Sequence, residues 1–567
     1  MKGADVAVQA QVAADGMSVP APSWVVPSLR VAEGRDPLGL QTLTQDRLMP
    51  VLLPGILELS RRGRYFSFHA FLLAEYQARR LPASSKSLWA FIKRREWELG
   101  LAVQRCPKDC GSSPVGARRL GRRAEGPGPF ARGESVDSDL GGYGLYYRSP
   151  LAELGIVAKA GTMLGSQPIP VDVLYDTDRA RRLAAAFKSA IEGTAYYQRA
   201  MWTDEDLPAE VIDEYAKVGC LCRLRERPSE LAAVHDALFG SDSPAAGEPG
   251  DASGAQAADE ETPRAVAREG TVQRRRTVAH YLTLVEADPQ VVTSDPAYRE
   301  ALWSAAAPRS DGHAVVAGQW AAVIAKDVWQ ECLCSVWSEF CRAGLNRTRD
   351  LGRGLTWDET RATAASMTDG LPALDPQLST SVLAEQLAAG TLAIPAGDGA
   401  AIDVRTATLE ELRQATVQLD TAASGLVVLL ELTRRMERQS GAGWTHASRI
   451  ASGWQPSVAA VAGGLRAHLS DDPVVAETLW WLVSCFVLPV HERIAYSKLP
   501  EYTFRFRWED GLLRFYDHGA GRFPLAGIRG EPLASLTRDL GLWEQASGPG
   551  DAVLTSRGTA FVNEAFA

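Results

Sequence analysis

The chain has 567 residues, 46% hydrophobic and 23% charged, a composition ordinary for a globular protein and too long for one core. Its net charge of −9 excludes a wholly basic nucleic-acid coat but leaves room for a local basic face. The longest near-continuous apolar run, Thr478 to Val490, falls well short of the roughly 20 residues a bilayer needs, so no membrane partner is expected.

Residues 1–30 read as a disordered lead-in without the apolar core of a signal peptide. Together with eight clustered cysteines, this points to a reducing cytoplasm. Residues 31–240 form a predicted N-terminal helical domain. Within it a turn at Leu53-Pro54-Gly55 precedes the basic cluster Arg61, Arg62 and Arg64. An aromatic-rich helix follows over Tyr65 to Arg80, and a second, with a Ser cap, over about Ser87 to Val103. Gly/Pro-rich sequence from Pro107 to Gly142 interrupts the helices.

At about 145–191, Pro150-Leu-Ala-Glu-Leu-Gly-Ile leads to a short apolar strand at Val173 and a helix from Arg179. Helix, Leu-Gly-apolar exit, hairpin and closing helix read as a winged-helix-like unit. Residues 241–275, poor in large apolar side chains, read as a flexible linker or insertion. Residues 276–495 are helical throughout, with strong helices at Trp320 to Phe340, Leu409 to Arg438 and Val474 to Leu488. Over 496–567 the period changes. Thr503 to Trp508 and Leu512 to Tyr516 alternate around Asp510-Gly511, a hairpin signal. Pro532 to Trp543 and Val553 to Phe561 then repeat the winged-helix pattern. The expected fold class is mainly α (α+β), a multidomain helical protein with two winged-helix-like units.

Nine positive residues lie between Lys93 and Arg123, against Glu96, Glu98 and Asp109, a net +6 in an acidic chain. Arginines on a Gly-rich loop reach phosphates and release counterions. Lys93, Arg94, Arg95, Arg118, Arg119, Arg122 and Arg123 are therefore the expected nucleic-acid contacts, with DNA favoured over RNA. The alternative is a solvated loop paired with acid elsewhere. The winged units also serve protein contacts in many proteins, which leaves a pure assembly scaffold open.

No phosphate loop, nucleophile elbow, His-Glu-x-x-His or dinucleotide fingerprint is present, so no catalytic residue is assigned. Asp172 and Asp176 about a short strand are the nearest pattern to a metal-dependent nuclease. Cys106 and Cys110 meet zinc-like spacing, but no second pair of that type lies nearby in sequence. Cys220, Cys222, Cys332 and Cys334 read as helical and buried. No metal ligand and no cofactor is assigned, and whether Cys106 and Cys110 bind zinc stays open. His491-Glu492-Arg493 reads as a polar helix end.

The stretches LLPGILELSRRGRYFSFHAFLL, CGSSPVGARR, YYRSPLAELGIV and VHERIAYSKLPEYTFRFRWEDGLLRF, with the closing DLGLW and LTSRGTAFV, carry a resemblance that extends over most of the chain outside residues 241–271. Together they resemble a family of large hypothetical proteins common in actinobacteria, whose genes are associated with mobile or anti-phage defence islands. The resemblance implies a subunit of a multi-protein defence or DNA-processing system, and carries over no catalytic residues.

Overall fold

The computed structural model describes residues 36–164, 166–240, 257–304, 310–368, 374–395, 401–452, 455–499, 503–516, 522–546 and 551–567, with the backbone alone described over 257–268. The expected lead-in and the first part of the expected linker lie outside these residues. The chain is mainly α, 63% helix and 7% strand, with five two-stranded antiparallel sheets among the described residues. Among the described residues no helix is long and apolar enough to cross a membrane.

One helix organises the second half. Asp311–Leu351 runs 41 residues, starts at an N-cap where Ser310 accepts from His313 N–H, and ends at Gly352 in the left-handed region. Its middle, Gln319 to Ser338, is buried on every side. The charges it carries there are partnered. Asp327 binds Arg299 at 2.6 Å, and Lys326 Nζ donates to Gln330 at 2.6 Å. Leu409–Leu419 and Ala422–Met436 pack against this helix. The sequence predicts them as one helix from Leu409 to Arg438. The break falls at Asp420, whose φ of 48° is left-handed, followed by Thr421 as a new N-cap.

The predicted hairpin forms as Phe506–Glu509 and Leu512–Phe515, with Asp510 and Gly511 at φ 51° and 77°. Phe506 packs on Trp337 and Phe340 of the central helix. Contact is close enough that a β-carbon at Gly344 would collide with the Phe515 ring.

Among the described residues three helices contain a π-helical turn, Leu43–Leu48, Tyr143–Tyr147 and Val483–Val487. Each runs into a proline two or three residues on: Pro50, Pro150 and Pro489. Proline lacks an N–H and presses on the carbonyl one turn back, and a widened turn relieves both. The apolar run Thr478 to Val490 is thus a helix carried through its proline by a π turn, on to Ser497.

Both winged-helix-like units appear as helix, antiparallel strand pair and helix. The first is Arg148–Glu153, Val157–Ala158 paired with Val173–Leu174, and Asp178–Ile191, with its long connection drawn out into a second small hairpin. The C-terminal unit is Gly530–Asp539, Trp543–Gln545 paired with Ala552–Leu554, and Ser556–Phe566. It sits on the rest of the chain: Asp539 accepts from Gly63 N–H and Arg62 Nε, each at 3.0 Å, and Phe561 packs on Phe239.

The expected linker is corrected in its second part. A helix, Ala257–Ala287, runs through it, and Arg274 reaches the carbonyls of Leu238 and Pro54. The buried core is continuous across this boundary.

Candidate metal centre and basic segment

The Ser85–Gln104 helix positions both candidate sites. Ser84 caps it, accepting from Ser87 N–H, and its inner face carries two buried carboxylates. Glu96 accepts from Gly142 N–H at 2.9 Å, Tyr143 N–H at 2.6 Å and the Ser135 hydroxyl. Glu98 accepts from Tyr196 Oη and pairs with Arg132. Burial pushes Glu96 up to about 7, against these donors, and pushes its neighbour His69 down to about 3. These carboxylates tie the following loop down. Val115 N–H also donates to Tyr65 Oη at 2.8 Å, and Gly116, at φ 76°, lies so close to the Ser135 carbonyl that no side chain fits. The Gly/Pro-rich stretch expected to be flexible is a fixed strap.

The seven expected phosphate contacts divide between helix and strap. Lys93 and Arg95 are buried; Lys93 pairs with Glu134 at 2.6 Å, and Arg95 donates to the Met201 carbonyl and lies over the Phe91 ring. Arg94 pairs with Asp204 and donates to the Thr203 carbonyl at 2.8 Å. Burial of Lys93 and Arg95 counts against their assignment as phosphate contacts, whereas Arg94 is half-buried and its partner Asp204 is exposed. Arg118, Arg119, Arg122 and Arg123 are exposed on the strap. Arg119 pairs with exposed Asp137, Arg122 approaches Glu125 at 3.7 Å, and Arg123 lies 5.4 Å from the centre of the Trp97 ring. Arg118 has no ion-pair partner among the described residues.

At the C-terminal end of the same helix the structure assembles what sequence separation hides. Cys106 and Cys110 meet Cys220 and Cys222, all four sulfurs within 4.8 Å of one another. Cys106 and Cys222 are 3.7 Å apart, Cys110 and Cys220 3.6 Å, and Cys220 and Cys222 3.6 Å. All are free thiols, far from disulfide length. The first pair sits on a turn in which Asp109 N–H donates to the Cys106 carbonyl and Asp109 adopts φ 45°. The second follows the Ala209–Gly219 helix, where Cys220 is extended at ψ 143° and opens a 3-10 turn over Leu221–Glu226. That extended residue lets two cysteines one residue apart face the same point, where a continuous helix would splay them.

Ion pairs bridge the two turns around the thiols. Lys108 meets Glu226 at 2.6 Å, Arg223 meets Glu226 at 2.9 Å, and Arg105 forks onto Asp213. Burial pushes Cys222 up to about 11 and Cys220 higher still. For Cys110 burial is outweighed by donors from Ser112, which bring the thiol down to about 7. Arg223 is nine-tenths buried, its Nε finds no hydrogen-bond partner, and its charge acts on Cys222 and Cys106. Beside the quartet lies an open cleft of about 460 Å³ lined by Arg105, Cys106, Asp109, Arg122, Glu125 and Asp213.

The nuclease pattern is not assembled. Arg148 forks onto Asp172, which also accepts from Tyr143 Oη and Ala160 N–H; these contacts outweigh burial and lower its pKa. Asp176 is exposed and pairs with Arg181. The two carboxylates serve the first winged unit. Cys332, Cys334 and Cys341 are core residues of the central helix. Comparison with family profiles, curated proteins and solved structures gave no match.

Proposed function

We propose that this chain is a non-enzymatic, nucleic-acid-binding scaffold that contacts phosphates through Arg118, Arg119, Arg122 and Arg123. One observation carries the reading: four exposed arginines fall within six residues of a strap that is anchored at both ends. Anchoring matters because an ordered arginine loses less side-chain freedom when it binds, and a cluster releases several counterions at once. Their present partners, Asp137 and Glu125, are exposed carboxylates whose pairs are worth at most about 1 kcal/mol and yield readily to a phosphate. Membership in an anti-phage defence assembly rests on the sequence resemblance and is tested by phage plating with and without the gene.

Replacing the four arginines with alanine is expected to weaken binding to a fluorescent DNA duplex. It should also flatten the dependence of log affinity on log salt by about 3 to 4, near one unit for each phosphate no longer neutralised. Binding with an unchanged slope contradicts the assignment.

A second reading, a scaffold that assembles proteins alone, is favoured by a surface aromatic cluster. Exposed Trp357 stacks on Trp508 at 5.8 Å and meets Trp480 edge-on at 5.1 Å. Substitution of Trp357 by alanine leaves DNA affinity unchanged if the two surfaces are separate.

A further inference from the structure

We propose that Cys106, Cys110, Cys220 and Cys222 bind a single zinc ion in a closed tetrathiolate site that clasps the strap to the Ala209–Gly219 helix. The spacing is the first argument. A tetrahedral ion with bonds of about 2.3 Å to sulfur sets its ligands about 3.8 Å apart. Three of the sulfur separations here are 3.6 to 3.7 Å, and all lie within 4.8 Å. A multi-iron cluster places several irons and inorganic sulfides between its cysteines and holds them farther apart than this. Four soft ligands in a tetrahedron select zinc among the common divalent ions, and four protein ligands leave no open position for substrate.

The surroundings fit a thiolate site. Zinc entry displaces four thiol protons to solvent and leaves two net negative charges on the centre. Arg223, next in sequence to Cys222, pairs with Glu226 and keeps a buried Nε donor without a hydrogen-bond partner. Arg64 holds the Cys220 carbonyl from behind.

The clasp joins positions more than a hundred residues apart, at the two ends of a segment containing the strap and the first winged unit. It fixes the strap's N-terminal end where Glu96 and its donors fix the other. The site is independent of nucleic-acid binding and stands or falls by itself.

The test is metal content of the purified full chain, with cobalt exchange and limited trypsin digestion. Wild type is expected to carry one zinc per chain and, after exchange, to show the charge-transfer and d–d absorption of tetrahedral cobalt thiolate. Cys110→Ser and Cys222→Ser should lose the zinc and become cleavable between Lys108 and Arg123. Cys485→Ser, whose sulfur lies elsewhere and is exposed, should keep it. A wild-type chain that holds no zinc and gives no tetrahedral cobalt spectrum overturns the proposal, as does iron in place of zinc or equal loss in Cys485→Ser. Should a serine variant fail to fold, the wild-type stoichiometry and cobalt spectrum still decide.

Discussion

Arg64 is fully buried and depends on one residue for its counter-charge. Its guanidinium meets Glu230 in a two-pronged pair at 2.9 and 3.0 Å, and Ser67 adds a third bond to the same carboxylate. A buried pair is expensive to break from one side, because the remaining charge has nowhere to go. Glu230→Gln should therefore lower the unfolding free energy by about 3 kcal/mol in urea titrations. The exposed pair Arg61–Glu531 is the contrast: Glu531→Ala should cost less than about 1 kcal/mol. Equal effects would mean that burial does not decide the worth of these pairs. The sequence shows Arg61, Arg62 and Arg64 as one basic cluster, yet all three are spent on internal acids. Charge counts along a chain cannot show which face of a helix each residue takes. The same limit applies to Lys93, Arg94 and Arg95, whose contacts Glu134, Asp204 and the Met201 carbonyl lie far away in sequence.

Local elements with strong short-range chemistry were legible. The Asp510-Gly511 turn appears with the left-handed angles its residues favour, and the alternating strands place Phe504 and Phe506 inward. Gly511→Ala should cost about 1 kcal/mol, since alanine tolerates a φ of 77° poorly, with the loss read as a lower urea midpoint. The break at Asp420 was not legible, because the apolar period continues on both sides of it. Thr421 as a cap was the available clue. The cysteine quartet was hidden for a different reason. Its second half has one residue between ligands, and only tertiary folding brings Cys220 and Cys222 to the end of another helix. His491 shows the same limit. It reads as a polar helix end, yet its Nδ1 donates to the Pro37 carbonyl and its Nε2 accepts from Arg505 N–H. It joins the start of the described chain to the C-terminal hairpin.

At the scale of the whole molecule, three buried neutral histidines make stability depend on acid. Burial pushes His69, His280 and His491 down to about 3. As pH falls below about 6.5 the unfolded chain takes up these protons and the folded chain does not, so stability declines. Each histidine costs about 2 kcal/mol between pH 7 and 5. Glu96 opposes this, because its pKa is raised to about 7 and the folded chain gains its proton first. It offsets about one histidine. For these four groups together the expectation is a urea midpoint lower at pH 5 than at pH 7, and substituting His280 by a neutral residue should reduce that difference. The mainly α class was readable from helical periods, and the two helix, strand-pair and helix stretches from their turn residues. The continuous core was not, because the acidic, small-residue stretch before Arg274 looks like a linker while its second part is helix.

The proposed function depends on where nucleic acid lies on the chain. Hydrogen exchange of the full chain with and without a short DNA duplex locates that contact directly. Slower exchange confined to residues 104–126 and their immediate neighbours is the expected result. Protection elsewhere, or none at a DNA concentration that saturates binding, would contradict the claim that the anchored arginine strap is the nucleic-acid surface.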